Sequence, residues 1–130
     1  MKNKLPFIFI FFFLGLGLAA CGPVQGNGAP KAAESYIQAL VNKNADQLSA
    51  LSCADWEPTA LTELDSFQAV TTKLDNLSCK QSGTDGDKAL VLCQGKIIAT
   101  YNNENQEIDL SARTYVIVNQ GGEWLVCGER

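Results

Sequence analysis

Two hydrophobic periods divide the chain. Ala33, Tyr36, Ile37, Leu40 and Val41 fall at i, i+3, i+4, i+7 and i+8, which lays them along one stripe of an α-helix. Pro30 suits the first turn of that helix, where its missing N–H costs nothing. The pattern predicts a helix from Pro30 to about Asn44 and a short second one over Ala45 to Leu51, with Leu48 and Leu51 inward. Pro58 opens a third, which carries Leu61 and Leu64 to about Ser66. Beyond Phe67 the period drops to two. Ala89, Val91, Cys93, Gly95, Ile97, Ala99 and Tyr101 alternate with a face bearing Lys88, Gln94, Lys96 and Thr100, although Leu90, Leu92 and Ile98 share that face. Ile108, Leu110, Ala112, Thr114, Val116 and Val118 form a second such face, opposed by Asp109, Ser111 and Arg113. Asn102 to Gln106 reads as a polar loop, Asn119 to Gly122 as a turn, and Glu123 to Cys127 as a final strand. Gly95 in mid-strand predicts a bulge or sharp bend.

Helices first, then an antiparallel meander with one apolar face, is an α+β arrangement: N-terminal helices covering a curved sheet of about four strands. The opening helix Ala32 to Leu40, the break at Asn44-Ala45-Asp46 and the closing Gly122-Glu123-Trp124-Leu125-Val126 resemble the NTF2-like, cone-shaped α+β superfamily over about residues 30–128. A cystatin-like arrangement, one helix on a meander, is the runner-up. The NTF2-like resemblance implies a cone able to enclose an apolar pocket. It also implies kinship with isomerases, cyclases and dehydratases that aim an Asp, His or Tyr into such a pocket.

The N-terminus has a different character. Lys2 and Lys4 precede an apolar run from Phe7 that ends in small residues before Cys21. The run of about fourteen residues is short of the roughly twenty that span a bilayer. Leu18-Ala19-Ala20-Cys21 resembles the lipobox of bacterial lipoproteins, which implies acylation of the Cys21 sulfur and removal of residues 1–20. Several acyl chains hold a protein where one does not, at about 0.8 kcal/mol per buried methylene. The chain therefore divides into a signal peptide (1–20), a lipidated Cys21 with a glycine-rich spacer (21–29), and a domain (30–130). The expected location is the cell envelope, on the extracytoplasmic side of a bacterial membrane.

Charge agrees with an anchor made of lipid. The full chain carries −4, and loss of the two lysines before Cys21 leaves eight Lys+Arg against fourteen Asp+Glu, or −6. That balance argues against nucleic acid and against docking on anionic lipid through a basic patch. With Cys21 assigned to lipid, Cys53, Cys79, Cys93 and Cys127 form an even set in an oxidising compartment, which predicts two disulfides. Spacing alone leaves three connectivities open. Strands paired around Gly86 would set Cys79 opposite Cys93, and this leaves Cys53 for Cys127. A four-cysteine zinc site would show close pairs such as C-x-x-C, and there are none.

Candidate chemistry is sparse. The chain has no histidine, so His-dependent mechanisms are excluded. An Asp base with a Tyr donor could be drawn from Asp55, Asp65, Tyr36, Tyr101 and Tyr115. Tyr36 and Tyr101 fall on core-facing registers, however, and the acids fall at turns or helix surfaces. Trp56, in the polar stretch Asp55-Trp56-Glu57, is a candidate anchor or a cap on the core edge. Tyr101 and Trp124 complete the candidate binding residues. No cofactor is implied. The expectation is a membrane-tethered, non-enzymatic module that binds a small apolar ligand or an envelope protein. The alternative is a small NTF2-like enzyme acting on an apolar substrate.

Overall fold

A computed structural model of the chain describes residues 26–130. The signal-peptide reading of residues 1–20 and the lipidation of Cys21 lie outside the described residues. Helix α1 spans Gly28–Val41, two residues longer at its start than Pro30 suggests. Ala29 is fully buried, so the spacer ends before it. Small residues at 0 % exposure, Ala33 and Ala39 among them, let α1 lie close against the sheet. The helix stops where Lys43 takes a left-handed backbone (φ 57°) and the Asn44 N–H returns to the Ala39 carbonyl. That six-to-one bond is the Schellman form of helix ending. The Asn44 side chain then accepts from the Gln47 N–H at 3.1 Å, which caps helix α2, Ala45–Ala50. Helix α3, Glu57–Ser66, begins with Pro58 in its first turn.

Five strands follow: β1 (Thr71–Asp85), β2 (Lys88–Tyr101), β3 (Glu104–Asp109), β4 (Thr114–Gln120) and β5 (Glu123–Glu129). All are antiparallel, in the order β1-β2-β4-β5, with β3 also on β2. β2 is long enough for two partners on one edge: Lys88–Leu92 pair with β4 and Lys96–Tyr101 with β3. The polar segment after Tyr101 is a two-residue turn, with Asn102 and Asn103 at φ 47° and 64°. Both angles suit a type I′ hairpin.

The expected bend at Gly95 is present. Asp75 faces Lys96 and Ser78 faces Gln94, so Asn76 and Leu77 oppose Gly95 alone. Gly95 takes φ 105°, and Asn76 is left-handed at φ 55°. Two residues against one is a bulge, and it increases the local twist.

The single strand expected across 108–118 is not present. A 3-10 turn, Leu110–Ala112, separates β3 from β4. Asp109 causes it: its carboxylate accepts from the Ser111 N–H (2.9 Å) and hydroxyl (2.7 Å) and so competes with the ladder. The turn shifts the alternation by one. Leu110 stays buried, but beyond it Tyr115 and Ile117 face the core at 1 % and 0 %, paired with Val91 and Ala89. Thr114 and Val118, expected on the core face, are half-exposed. Val116, also expected on the core face, stays buried at 7 %, while its neighbours follow the shifted register.

Tyr101 also departs from expectation, at 60 % exposure despite its core-facing register. The helical cover ends before reaching it. Thr72, opposite Ala99, donates its hydroxyl to the carbonyl of Val41, the last residue of α1. β1 itself gives out at Thr71, opposite Thr100.

Both expected disulfides are present, Cys79–Cys93 and Cys53–Cys127, with Cα atoms 4.0 and 4.9 Å apart. The second closes an edge. Cys53 N–H bonds to Val126 O, and Val126 N–H to Leu51 O, each at 2.8 Å. The segment after α2 thereby covers the outer edge of β5, which would otherwise stay open to pairing.

Candidate functional site

The inside of the cone is filled with side chains. Tyr36, Ile37 and Leu40 of α1 meet Val91 and Ile97 of β2 and Tyr115 of β4, all below 2 % exposure. The rings of Tyr36 and Tyr115 meet edge to face, with centroids 6.1 Å apart. Trp56, half-buried just before α3, donates its indole N–H to the Tyr36 hydroxyl at 3.1 Å. Burial pushes the Tyr36 phenol well above the ordinary tyrosine range, and the Trp56 hydrogen bond only partly opposes it. Burial likewise pushes Tyr115 up to about 12, with nearby Arg113 pulling the other way. Both phenols are neutral at physiological pH. They serve as hydrogen-bonding core aromatics.

Arg113 organises the polar end of this core. Its guanidinium pairs closely with Glu63 of α3 and reaches Glu129 of β5 at 3.4 Å. Burial acts against the guanidinium charge, but the hydrogen bond and charge of Glu63 more than offset it and raise its pKa. Burial raises the Glu129 pKa, and the Arg113 charge moderates the rise. Glu63 and Glu129 thus share the cation of Arg113.

From this ion cluster a groove runs outward between the end of α3 and the β2–β3 hairpin. Its inner stretch, about 290 Å³, is lined by Glu63, Ser66, Phe67, Val70, Ala99, Gln106, Ile108 and Arg113. Its outer stretch, about 430 Å³, is lined by Val70, Ala99, Tyr101, Glu104, Asn105 and Gln106. Val70, Ala99 and Gln106 line both, so the two adjoin. The exposed ring of Tyr101 stands at the mouth. Phe67 and Ile108 form apolar walls, and the Arg113–Glu63 pair forms a polar floor. Apolar walls with a few convergent polar groups are the usual make-up of a small-molecule site. Another hollow, about 450 Å³, lies beside the start of α1 and is lined chiefly by polar residues of β1, Lys80 to Thr84.

The three candidate binding residues are not brought together. Tyr101 is at the groove mouth. Trp56 is in the middle, bonded to Tyr36. Trp124 is at the opposite end, its indole packed where a Cβ on Gly28 would sit. Asp55 and Asp65 are exposed and lie outside the groove. Sequence reasoning missed Glu63, Glu129 and Arg113. Alternation along a continuous strand places Arg113 on the polar face, and the 3-10 turn brings it inward. The signal that could have revealed this is Asp109-Leu110-Ser111, a side-chain turn motif inside an apparent strand.

No family model matches the chain. No curated protein matches it by sequence. Solved structures do share its architecture. A SEC-C motif containing protein from Rhodopseudomonas palustris superposes with a TM-score of 0.53 at 9 % identity, covering 79 % of each chain. A candidate ketosteroid isomerase from Shewanella frigidimarina gives 0.52 at 14 % identity, over 76 % of this chain and 90 % of the other. An NTF2-like protein of unknown function from Pseudomonas putida gives 0.50 at 15 % identity, over 76 % and 79 %. At these identities the likeness concerns fold alone, and the fold is the NTF2-like α+β cone.

Proposed function

We propose that this chain is an exported lipoprotein, held to a bacterial membrane through Cys21, whose NTF2-like domain binds a small, partly apolar ligand in the groove from Arg113 to Tyr101. The observation that carries the reading is Tyr101, exposed at 60 %, lining a hollow that adjoins the one lined by Phe67, Ile108 and the Arg113–Glu63 pair. A hollow that combines apolar side chains with a few polar groups is the ordinary make-up of a binding site. Two features favour binding over catalysis. Glu63 and Glu129 are both engaged by Arg113. The inward phenols sit above the range in which a general acid or base works near neutral pH. The tether is supported by the charge, apolar run and small residues preceding Cys21.

Two experiments test the two halves. Expressed in a bacterium, the wild-type chain should fractionate with membranes and Cys21→Ser with the soluble fraction; a mutant still held in the membrane refutes the lipid anchor. The secreted Cys21→Ser domain should enhance the fluorescence of 1-N-phenylnaphthylamine. Removing the Tyr101 ring should weaken that binding by about 1–2 kcal/mol, roughly 5–30-fold. Equal affinity in Tyr101→Ala removes the groove from the account.

A further inference from the structure

We infer, resting on the binding groove proposed above, that its ligand is a cationic amphiphile, with a flat apolar body against Phe67, Val70 and Ile108 and an ammonium group at Glu63. The polar floor is short of positive charge. Glu63 and Glu129 both meet one nitrogen, Arg113 Nη1, and each does so through a single oxygen, Oε1 of Glu63 and Oε2 of Glu129. Two carboxylates on one guanidinium leave one negative charge in surplus. Burial raises the Glu129 pKa, Arg113 lowers it, and the like charge of Glu63 adds to the rise. Glu63 is the carboxylate of this cluster that lines the inner stretch. An ammonium beside it brings the count to two against two, and its three N–H donors suit carboxylate oxygen. A carboxylate on the ligand would instead set three anions around one cation, and like charges that close disfavour the ionised forms.

The outer end has the same bias. Tyr101 and Glu104 pair directly across the Asn102–Asn103 turn, so ring and carboxylate share one face of the hairpin, and both line the outer stretch. An aromatic face attracts a cation, and a carboxylate beside it adds to the attraction. Arg113 is the only basic residue among those lining either stretch. Lys43 donates its ammonium to the Val70 carbonyl and lines neither. The chain from Cys21 onward carries −6, a field that gathers cations over anions. An organic cation fits better than a metal ion, because no three His, Cys, Asp or Glu side chains converge among the described residues. The inner stretch, about 290 Å³, lies at the low end of the roughly 300–1,000 Å³ typical of small-molecule sites. That size suits a body of one or two rings.

The test keeps the apolar body constant and changes only the charge. The ¹⁵N-labelled Cys21→Ser protein is titrated at neutral pH with tryptamine, tryptophol and indole-3-acetate, which carry one positive, no and one negative charge, and affinities are read from the amide shifts of Val70, Ala99, Gln106 and Ile108. Tryptamine should bind about 3–10-fold more tightly than tryptophol, and indole-3-acetate more weakly than either. Sodium chloride at about 0.5 M should shrink that advantage. Glu63→Gln should bring tryptamine down to the affinity of tryptophol and leave tryptophol unchanged. Indole-3-acetate binding as tightly as tryptamine, tryptamine binding no better than tryptophol, or a Glu63→Gln protein that keeps the full preference overturns the cationic ligand. The ligand series in the unsubstituted groove decides the matter even if Glu63→Gln fails to fold. 1-N-phenylnaphthylamine, uncharged at this pH, separates the two levels. If it shifts these amides and tryptamine does not, the charge assignment alone has failed; if neither does, the binding reading has failed with it.

Discussion

Gly95→Ala probes the feature that shapes the sheet. Its Cβ would lie 2.6 Å from the carbonyl oxygens of both Asp75 and Asn76, well inside van der Waals contact. Those atoms are backbone, so relief requires opening the bulge and giving up one or two ladder hydrogen bonds, about 1 kcal/mol each. The backbone angle of φ 105° adds strain of about 1–3 kcal/mol for a residue with a side chain. Against this, alanine lowers the entropy of the unfolded chain, which returns about 0.4–1 kcal/mol. The net is a loss of about 2–4 kcal/mol, or a fall in Tm of about 10–20 °C for a domain of this size. The assay is guanidinium unfolding followed by circular dichroism with disulfides intact. Two glycines calibrate it. Gly83→Ala meets nothing within 4 Å and should be neutral or slightly stabilising. Gly86→Ala also has open space but sits at φ 62°, and should lose only about 1 kcal/mol. A Gly95→Ala domain as stable as Gly86→Ala would refute the steric argument and the bulge with it.

The polar cluster and the cysteines give further expectations. Arg113→Met leaves Glu63 and Glu129 facing one another at 17 % and 32 % exposure; breaking a buried pair costs about 3–5 kcal/mol, discounted for solvent to about 1–3. Guanidinium unfolding should show that loss, and Glu63→Gln in the same background should recover part of it. Tyr115 ionises near 10 when unfolded and at about 12 when folded, so its contribution is complete below pH 10 and is lost as pH rises from 10 towards 12. The domain should therefore lose stability over that window, and Tyr115→Phe should lose less; identical slopes would contradict it. In the chain-entropy model the 74-residue separation of Cys53–Cys127 confers about 4.4 kcal/mol and the 14-residue separation of Cys79–Cys93 about 3. The paired alanine variants should rank in that order by urea midpoint. Mass of the oxidised soluble domain should rise by about four hydrogens on reduction, and peptide maps should return these two pairs only.

Much of this architecture is legible wherever one periodicity decides the outcome. The α1 stripe, the break at Asn44 and the Cys79–Cys93 register follow from spacing, because helix and strand each admit one face. What escapes is local competition and extent. Asp109 captures Ser111 through hydrogen bonds that hydrophobic alternation does not register, and the resulting slip decides that Arg113, Tyr115 and Ile117 point inward. Register assigns Tyr101 to the core, yet exposure depends on where α1 stops, which is set by the turn at Lys43. The Glu63–Arg113–Glu129 cluster joins α3, the residue between the 3-10 turn and β4, and β5 across 66 residues of chain, and no short motif announces it. The groove is a product of these same two surprises, an uncovered Tyr101 at one end and an inward Arg113 at the other.

The most direct test of the account is to map the amide shifts of the ¹⁵N-labelled Cys21→Ser domain on saturation with 1-N-phenylnaphthylamine. The account predicts shifts concentrated at Phe67, Val70, Ala99, Gln106 and Ile108, reached in Tyr101→Ala only at roughly 5–30-fold higher ligand concentration. Shifts confined to the hollow beside Asn27 and Lys80, or spread evenly over the surface, would contradict it.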